Sequence, residues 1–184
     1  MTTFALLNAV TDFVEHFTKD IILETRGRDI NDDERQPDGA SPPKVYQMRL
    51  PNEDSAFDFV PYIIVSVLTG TDIQEPGQEP KSTARIRIQC TTYSENHSKG
   101  AIDILNIIER LRIAFLTHRE IGGQFQQISP LERIVYPHDT APYFMGEMMV
   151  TFDLPPIHEK FDYQAFTIPI LQHEREYSLE TYTV

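Results

Sequence analysis

The amino-acid sequence predicts an α+β fold: a mostly antiparallel β-sheet with two main helices packed on one face, followed by an extended C-terminal tail. Apolar residues recur every three or four positions in residues 3–19 and 99–119, which is the spacing of one helix face. Strict alternation in residues 83–92 is typical of a half-buried strand. We therefore expect one domain over residues 1–154 of the 184-residue chain and an extended arm over residues 155–184.

Each predicted helix has one apolar stripe. In the first helix the stripe consists of Leu6, Val10, Phe13 and Phe17. In the second helix it consists of Ala101, Ile104, Leu105, Ile108, Leu111 and Phe115. Ser98 is placed to cap the second helix, and Gly122 with Gly123 is predicted to end it.

The most apolar run of the chain is YIIVSVL, residues 62–68. Because this run is apolar on both faces, we expect a central strand that is covered on each side, with Gly70 turning the chain out at its end. The next strand, residues 83–92, is predicted to pair antiparallel with it. Its buried face consists of Ala84, Ile86, Ile88 and Cys90.

Four further strands are predicted from short apolar runs bounded by turn residues. They cover residues 21–24, 44–50, 125–135 and 143–153, and Pro130 interrupts the third of them. The last strand has a regular apolar face made of Phe144, Met148, Val150 and Phe152.

One long loop is expected within the domain. Residues 26–43 combine charge, glycine and proline without any periodicity. Loops of this length in a compact domain tend to be functional or disordered. We interpret the insertion as a charged arm that becomes ordered against a partner.

Composition and charge argue against several function classes. The net charge of −12 disfavours tight binding of nucleic acid, which requires clustered Lys and Arg. The single cysteine, Cys90, excludes an internal disulfide, and the six histidines lack metal-ligand spacing. No catalytic nucleophile sits in a recognisable motif. We therefore expect no metal, no cofactor and no enzymatic activity. No apolar segment approaches the ~20 residues of a membrane span.

The order of elements over residues 3–154 resembles the tail terminator proteins of tailed bacteriophages, which are also called neck or tail-completion proteins. The stretches that carry the resemblance are, in chain order, PYIIVSVLTGTD, TARIRIQCTT, SKGAIDIL, FQQISP and PYFMGEMMVTFDL. The loop at 26–43 and the tail after residue 154 are longer than the compact members of the family need.

The resemblance implies a virion structural protein rather than an enzyme. Such a protein forms a hexameric ring on the last ring of the tail tube, stops its polymerisation and joins the tail to the head connector at the neck. The implied partners are further copies of the chain, the tail tube protein and the head-tail connector or adaptor protein, with the tail sheath protein as a further candidate. DNA would pass through the acidic lumen without specific binding, and the ring would assemble in the host cytoplasm.

Three charged residues on predicted strands are candidate interface residues. Arg85 and Arg87 share the polar face of their strand, and arginine is enriched at protein interfaces. The functional interpretation pairs them with carboxylates of the adjacent subunit, and Glu147 is one candidate partner. The alternative is that both arginines are solvated on an open sheet face.

The C-terminal arm contributes the other candidate interface residues. These are its aromatic side chains Phe161, Tyr163, Phe166, Tyr177 and Tyr182. A terminal coil cannot bury all of them within its own domain, so we expect them to dock on a neighbouring subunit or on a connector, tube or sheath protein. A flexible, partly disordered terminus is the alternative.

Two other functions are compatible with the same pattern. The first is another neck component, such as a head-closure or adaptor protein. The second is a small α+β enzyme or ligand-binding domain, in which a concave pocket would gather His138, Asp139 and Glu147.

Overall fold

A computed structural model describes residues 3–26, 39–51, 53–136 and 141–155. The helices are α1 (Thr3–Thr18) and α2 (His97–Thr117), and a short 3₁₀ helix spans Glu53–Phe59. The strands are β1 (Leu23–Glu24), β2 (Ala40–Ser41), β3 (Lys44–Gln47), β4 (Tyr62–Ile73), β5 (Lys81–Tyr93), β6 (Glu120–Ile121), β7 (Phe125–Val135) and β8 (Tyr143–Leu154). The predicted α+β class is confirmed.

The main sheet has six strands in the order β3-β4-β5-β8-β7-β6. All neighbouring pairs are antiparallel except β3 and β4, which run parallel. The short strands β1 and β2 form a separate two-stranded sheet. Both helices pack on one face of the main sheet, because their buried side chains and those of the long strands belong to one apolar core.

Helix α1 contributes its predicted stripe and a second row of apolar residues. Leu6 and Val10 are fully buried, and Phe13 packs against the core with its ring centroid 4.7 Å from that of Phe115 on α2. Leu7 and Val14, which lie beside the predicted stripe, are also buried. The buried face of α1 is therefore wider than the predicted stripe.

Helix α2 begins earlier than predicted, and Ser98 is not its cap. Asn96 is the N-cap: its side-chain oxygen accepts a hydrogen bond from the backbone N–H of Lys99 at 3.1 Å. Asparagine is among the strongest capping residues because its side chain satisfies a free N–H of the first turn. The other end is closed at His118, whose backbone N–H donates to the carbonyl of Ala114.

The buried face of α2 is rotated relative to the predicted stripe. Ala101 and Leu105 are exposed, whereas Ile107 and Ala114 are buried. The core side consists of Gly100, Ile104, Ile107, Ile108, Leu111, Ala114 and Phe115. This set is centred on the sheet, so that Leu105 falls on the opposite side of the helix.

Two ion pairs hold α2 to the segment that follows α1. Arg110 donates to both carboxylate oxygens of Asp20 at 2.7 and 2.6 Å, and this hydrogen bonding lowers the pKa of Asp20. Near the helix start, Lys99 pairs with Glu24, which lowers the pKa of that carboxyl. Both pairs are exposed, so their contribution to stability is small.

Helix α2 runs along β8 at very close range. The Phe144 ring occupies the place that a side chain at Gly100 would take. Further along, Gly146 lies beneath Ile104 and Ile108, and the Phe152 ring centroid is 6.4 Å from that of Phe115. The start of the helix therefore lies over the start of β8, and its end lies over the end of the strand.

Strand β4 is longer than predicted, and Gly70 does not turn the chain out. The strand continues to Ile73, and Gly70 pairs with Ala84 of β5 in the middle of a long hairpin. Pairing with β5 overrides the turn preference of glycine, because every residue from Thr69 to Ile73 has a partner on that strand. The strand is also second from the edge of the sheet rather than central.

Several smaller predictions need correction. Gly122 and Gly123 do not end α2; with φ values of 61° and 68°, they form the turn between β6 and β7. Pro130 does not break β7, although the register with β8 shifts between Ile128 and Glu132 as the expected irregularity. The predicted strands at 21–24 and 44–50 shorten to β1 and β3. The expected loop at 26–43 contains β2, and its residues 27–38 lie outside the described residues.

Cys90 is buried on β5, as predicted, and its burial raises the pKa of the thiol to about 12. We therefore expect this cysteine to resist thiol reagents in the folded protein at pH 8, because the buried thiol stays protonated and the reagent cannot reach it. The measurement is the labelling rate with a chromogenic disulfide reagent in native buffer and in urea. Rapid labelling of the folded chain would contradict this expectation.

Candidate self-association surfaces

The predicted interface residues Arg85, Arg87 and Glu147 lie on the face of the sheet opposite the helices. Alternation places them there, because Ile86, Ile88 and Met148 next to them point into the core. The structure therefore brings together the three strand residues that the sequence singled out.

Arg87 and Glu147 form a partly buried ion pair between β5 and β8. The Nε and Nη2 atoms of Arg87 lie 2.7 and 2.5 Å from Oε2 of Glu147, and the Glu147 side chain is only 15% exposed. Hydrogen bonding to Glu147 raises the pKa of Tyr136, which follows β7. One carboxylate thus connects β5, β8 and the residue that follows β7.

Arg85 has a partner of its own. It forms an ion pair with Glu132 of β7, across the intervening strand β8. Both strand arginines are therefore paired within the chain, and Glu147 is the partner of Arg87 in the same subunit. Their predicted role at a subunit interface stays a prediction.

The apolar half of the same sheet face is covered by the chain itself. Leu50, Val60 and Tyr62 form a second, smaller buried cluster there. Side chains packed against them are Tyr46, Ala56, Phe59, Ile64, Tyr93 and Tyr143. The apolar character of both faces of β4 is explained by these two cores within one chain, without a neighbouring subunit.

The outer edge of β4 is open beyond its first residues. Strand β3 pairs with β4 only over Tyr62–Val65, whereas β5 pairs with it as far as Ile73. In the parts of the chain that the structure describes, no strand pairs with the outer edge of residues 68–73. Leu68 and Ile73 on this segment are 46% and 45% exposed. An exposed edge of this kind is a template for pairing with another chain.

The opposite side of the sheet has a second open edge. The backbone N–H of Gln127 on β7 donates to the carbonyl of Arg119, but β6 pairs only with residues 125 and 126. Within the described ranges, residues 128–135 of β7 have a strand partner on the β8 side alone. One sheet thus offers a free edge at each side.

The outer face of α2 is an apolar surface that the sequence interpretation missed. Its exposed large side chains are Ile102, Leu105, Ile113 and Leu116, which we name the α2 outer stripe. Glu109 lies between them and pairs with Arg112 and with Arg133 of β7. The signal was present in the sequence, because these residues also recur at helical spacing.

The remaining predicted residues lie outside the described residues. These are Phe161, Tyr163, Phe166, Tyr177 and Tyr182 of the arm, together with His138 and Asp139 of the alternative pocket. Among the described residues, no three His, Cys, Asp or Glu side chains converge on a common point that could hold a metal ion. Neither described helix is long and apolar enough to span a membrane.

No protein-family model matches the chain, and no curated protein matches its sequence.

Proposed function

We propose that the chain is a virion structural protein, a tail terminator that forms a hexameric ring at the neck of a tailed bacteriophage. The observation that carries the proposal is the open outer edge of β4, residues 68–73. This edge carries two exposed apolar side chains and neither proline nor lysine; its interruptions are Asp72 and the register shift at Leu68. A second copy of the chain supplies the matching strand.

The position of the two open edges favours a ring over a dimer. Residues 68–73 of β4 and residues 128–135 of β7 lie at opposite sides of the same sheet. When the edge of β4 in one copy pairs with the edge of β7 in the next on either side of Pro130, the contact is head-to-tail. Such contacts generate a ring when the rotation between copies closes, and a filament when it does not. Closure leaves no free edge.

The ring caps the tail tube and joins it to the head connector. Its partners are the tail tube protein and the connector or adaptor protein, and the C-terminal arm extends the contact to one of them or to the sheath protein. The net charge of −12 suits the passage of DNA, because an acidic lumen repels the phosphate backbone.

The role of the β4 edge is tested with the double variant Leu68→Lys, Ile73→Lys. Both side chains are exposed, so we expect the fold to persist, while like charges along the edge weaken ring formation at least about tenfold, or about 1.4 kcal/mol. The measurement is mass by light scattering at rising protein concentration. The control Gln78→Lys adds charge at the exposed hairpin tip, off the paired edge, and should form rings normally. A wild-type chain that stays monomeric throughout would contradict the proposal.

The place of the ring is tested on particles. Gold-labelled antibodies raised against the chain should bind at the junction of head and tail in electron micrographs. Labelling of the distal tail end, or of no part of the particle, would refute the assignment even if rings form in solution.

A further inference from the structure

We propose that the α2 outer stripe is the docking site for residues 165–171 of the same chain, AFTIPIL. In the free subunit this segment folds back from the C-terminal arm and covers Ile102, Leu105, Ile113 and Leu116. The inference does not depend on ring formation, because both partners belong to one chain.

The first argument is that α2 carries large apolar side chains on two opposite sides, with Glu109 and its ion pairs to Arg112 and Arg133 set among those of the outer side. One side forms the core, and the other exposes Ile102 and Ile113 at 56% and 57%. A helix that faces water on one side normally carries polar residues there, and a helix that is apolar all round is buried. A cover is therefore expected over the outer side.

The second argument is where the described chain ends. The Phe152 ring packs near Phe115, in the last turns of α2, and β8 ends two residues later at Leu154. Leu154 itself packs against the core. The arm thus begins near the C-terminal end of the helix, the end that carries Leu116 on its outer side.

The third argument is reach. The ten residues that follow Pro155, up to Ala165, span up to about 33 Å when extended. Helix α2 has 21 residues and is therefore about 32 Å long, and its diameter with side chains is about 10 Å. The connection is long enough to pass around the helix and place the segment on the outer side.

The fourth argument is the match in length and chemistry. Leu105 and Leu116 are about 17 Å apart along the helix axis. An extended chain covers the same distance, about 17 Å, from Phe166 to Leu171. Residues 163–172 carry no charge, whereas acidic residues surround the other aromatic side chains of the arm. This segment alone in the arm offers several apolar side chains without a charge to desolvate.

Docking within one chain also has an entropic advantage. A tethered segment experiences an effective concentration in the range of about 1 mM, so that even a weak contact is substantially occupied. A segment of a second copy reaches that concentration only in a dense assembly.

The test uses disulfide crosslinking in the full-length chain. The variant Leu116→Cys, Ile168→Cys is oxidised with copper phenanthroline at high dilution, and products are separated by non-reducing electrophoresis and identified by peptide mass spectrometry. Leu116 is exposed, whereas the native Cys90 is buried and is not expected to form a disulfide. We expect an intramolecular disulfide whose yield does not change with dilution.

The control places the first cysteine at another exposed site within reach of the arm. Gln78 lies in the turn that joins β4 to β5. Just after this turn, Ser82 of β5 pairs with Leu154 at the end of β8. Gln78→Cys, Ile168→Cys should crosslink several-fold less. Equal yields in test and control, absence of the crosslink, or intermolecular dimers whose yield falls with dilution would each overturn the proposal.

A second measurement avoids any dependence on disulfide geometry. Two chains are compared, the variant Leu116→Cys and the double variant Leu116→Cys, Ile168→Asp. The second change removes an apolar side chain from the arm and alters no residue of the domain. We expect the rate of thiol labelling at position 116 to rise several-fold, whereas the same change at Ser178 should leave it unaltered. Equal labelling rates in both chains would show that the segment does not cover the stripe. Ring formation by light scattering remains a separate readout.

Discussion

We expect Phe115→Ala to lower the free energy of unfolding by about 3–5 kcal/mol. The side chain is fully buried, and its ring lies between Phe13 of α1 and Phe152 of β8 at centroid distances of 4.7 and 6.4 Å. Its loss leaves a cavity at the point where both helices and the sheet meet. The free energy of unfolding of a domain is only about 5–15 kcal/mol, so the expected loss is a large fraction of it.

The measurement is equilibrium unfolding in urea, followed by circular dichroism. The control is Phe4→Ala on α1, where the same chemical change removes a side chain that is 49% exposed. The control should lower the free energy of unfolding by less than about 1 kcal/mol. A loss below about 1 kcal/mol for Phe115→Ala would mean that the helices do not meet the sheet at this residue.

We expect Gly146→Val to destabilise the protein by about 1–3 kcal/mol, because it overpacks the contact between α2 and β8. A Cβ atom at this position lies 3.2 Å from Cγ1 of Ile108 and from the carbonyl oxygen of Ile134, and 3.3 Å from Cγ1 of Ile104. The backbone oxygen cannot move without disturbing β7. Valine favours strands over glycine by up to about 1 kcal/mol, so the clash and the propensity act in opposite directions.

The matched control is Gly70→Val on β4. A Cβ atom there meets only the carbonyl oxygen of Thr83, at an ordinary 3.8 Å. Strand propensity then acts alone, and stability should stay the same or rise slightly. If both variants were equally stable, α2 would not rest directly on β8. Equilibrium unfolding in urea measures the stability of both variants.

The alternating and periodic segments determined most of the architecture. The strict alternation of Ala84, Ile86, Ile88 and Cys90 predicts β5 and its buried face, and all four residues are buried. Helix α1 also follows from its stripe, although its buried face includes Leu7 and Val14 as well. In these segments the local pattern and the tertiary environment favour the same state, because the residues that face the core are also the ones that set the period.

The sequence signals for where a helix begins and ends were less informative, since several residues compete for the same role. Asn96 and Ser98 are both good caps, and only the geometry of the first turn decides between them. Glycine pairs have a similar ambiguity: Gly122 and Gly123 suit a helix end and a hairpin turn alike, and the pairing of β6 with β7 selects the turn. Helix α2 shows the same difficulty on its faces, because apolar residues on both sides leave its rotation undetermined until it packs.

For the candidate surfaces, the sequence by itself determined which face of β5 carries Arg85 and Arg87, since alternation with buried neighbours leaves no choice. It also supplied the apolar residues of the α2 outer stripe. Only the tertiary structure decided that the arginines pair within the chain with Glu132 and Glu147, and that β3 leaves the outer edge of β4 open from residue 68. Pairing partners and strand ends depend on contacts between segments far apart in the chain, and no local periodicity encodes them.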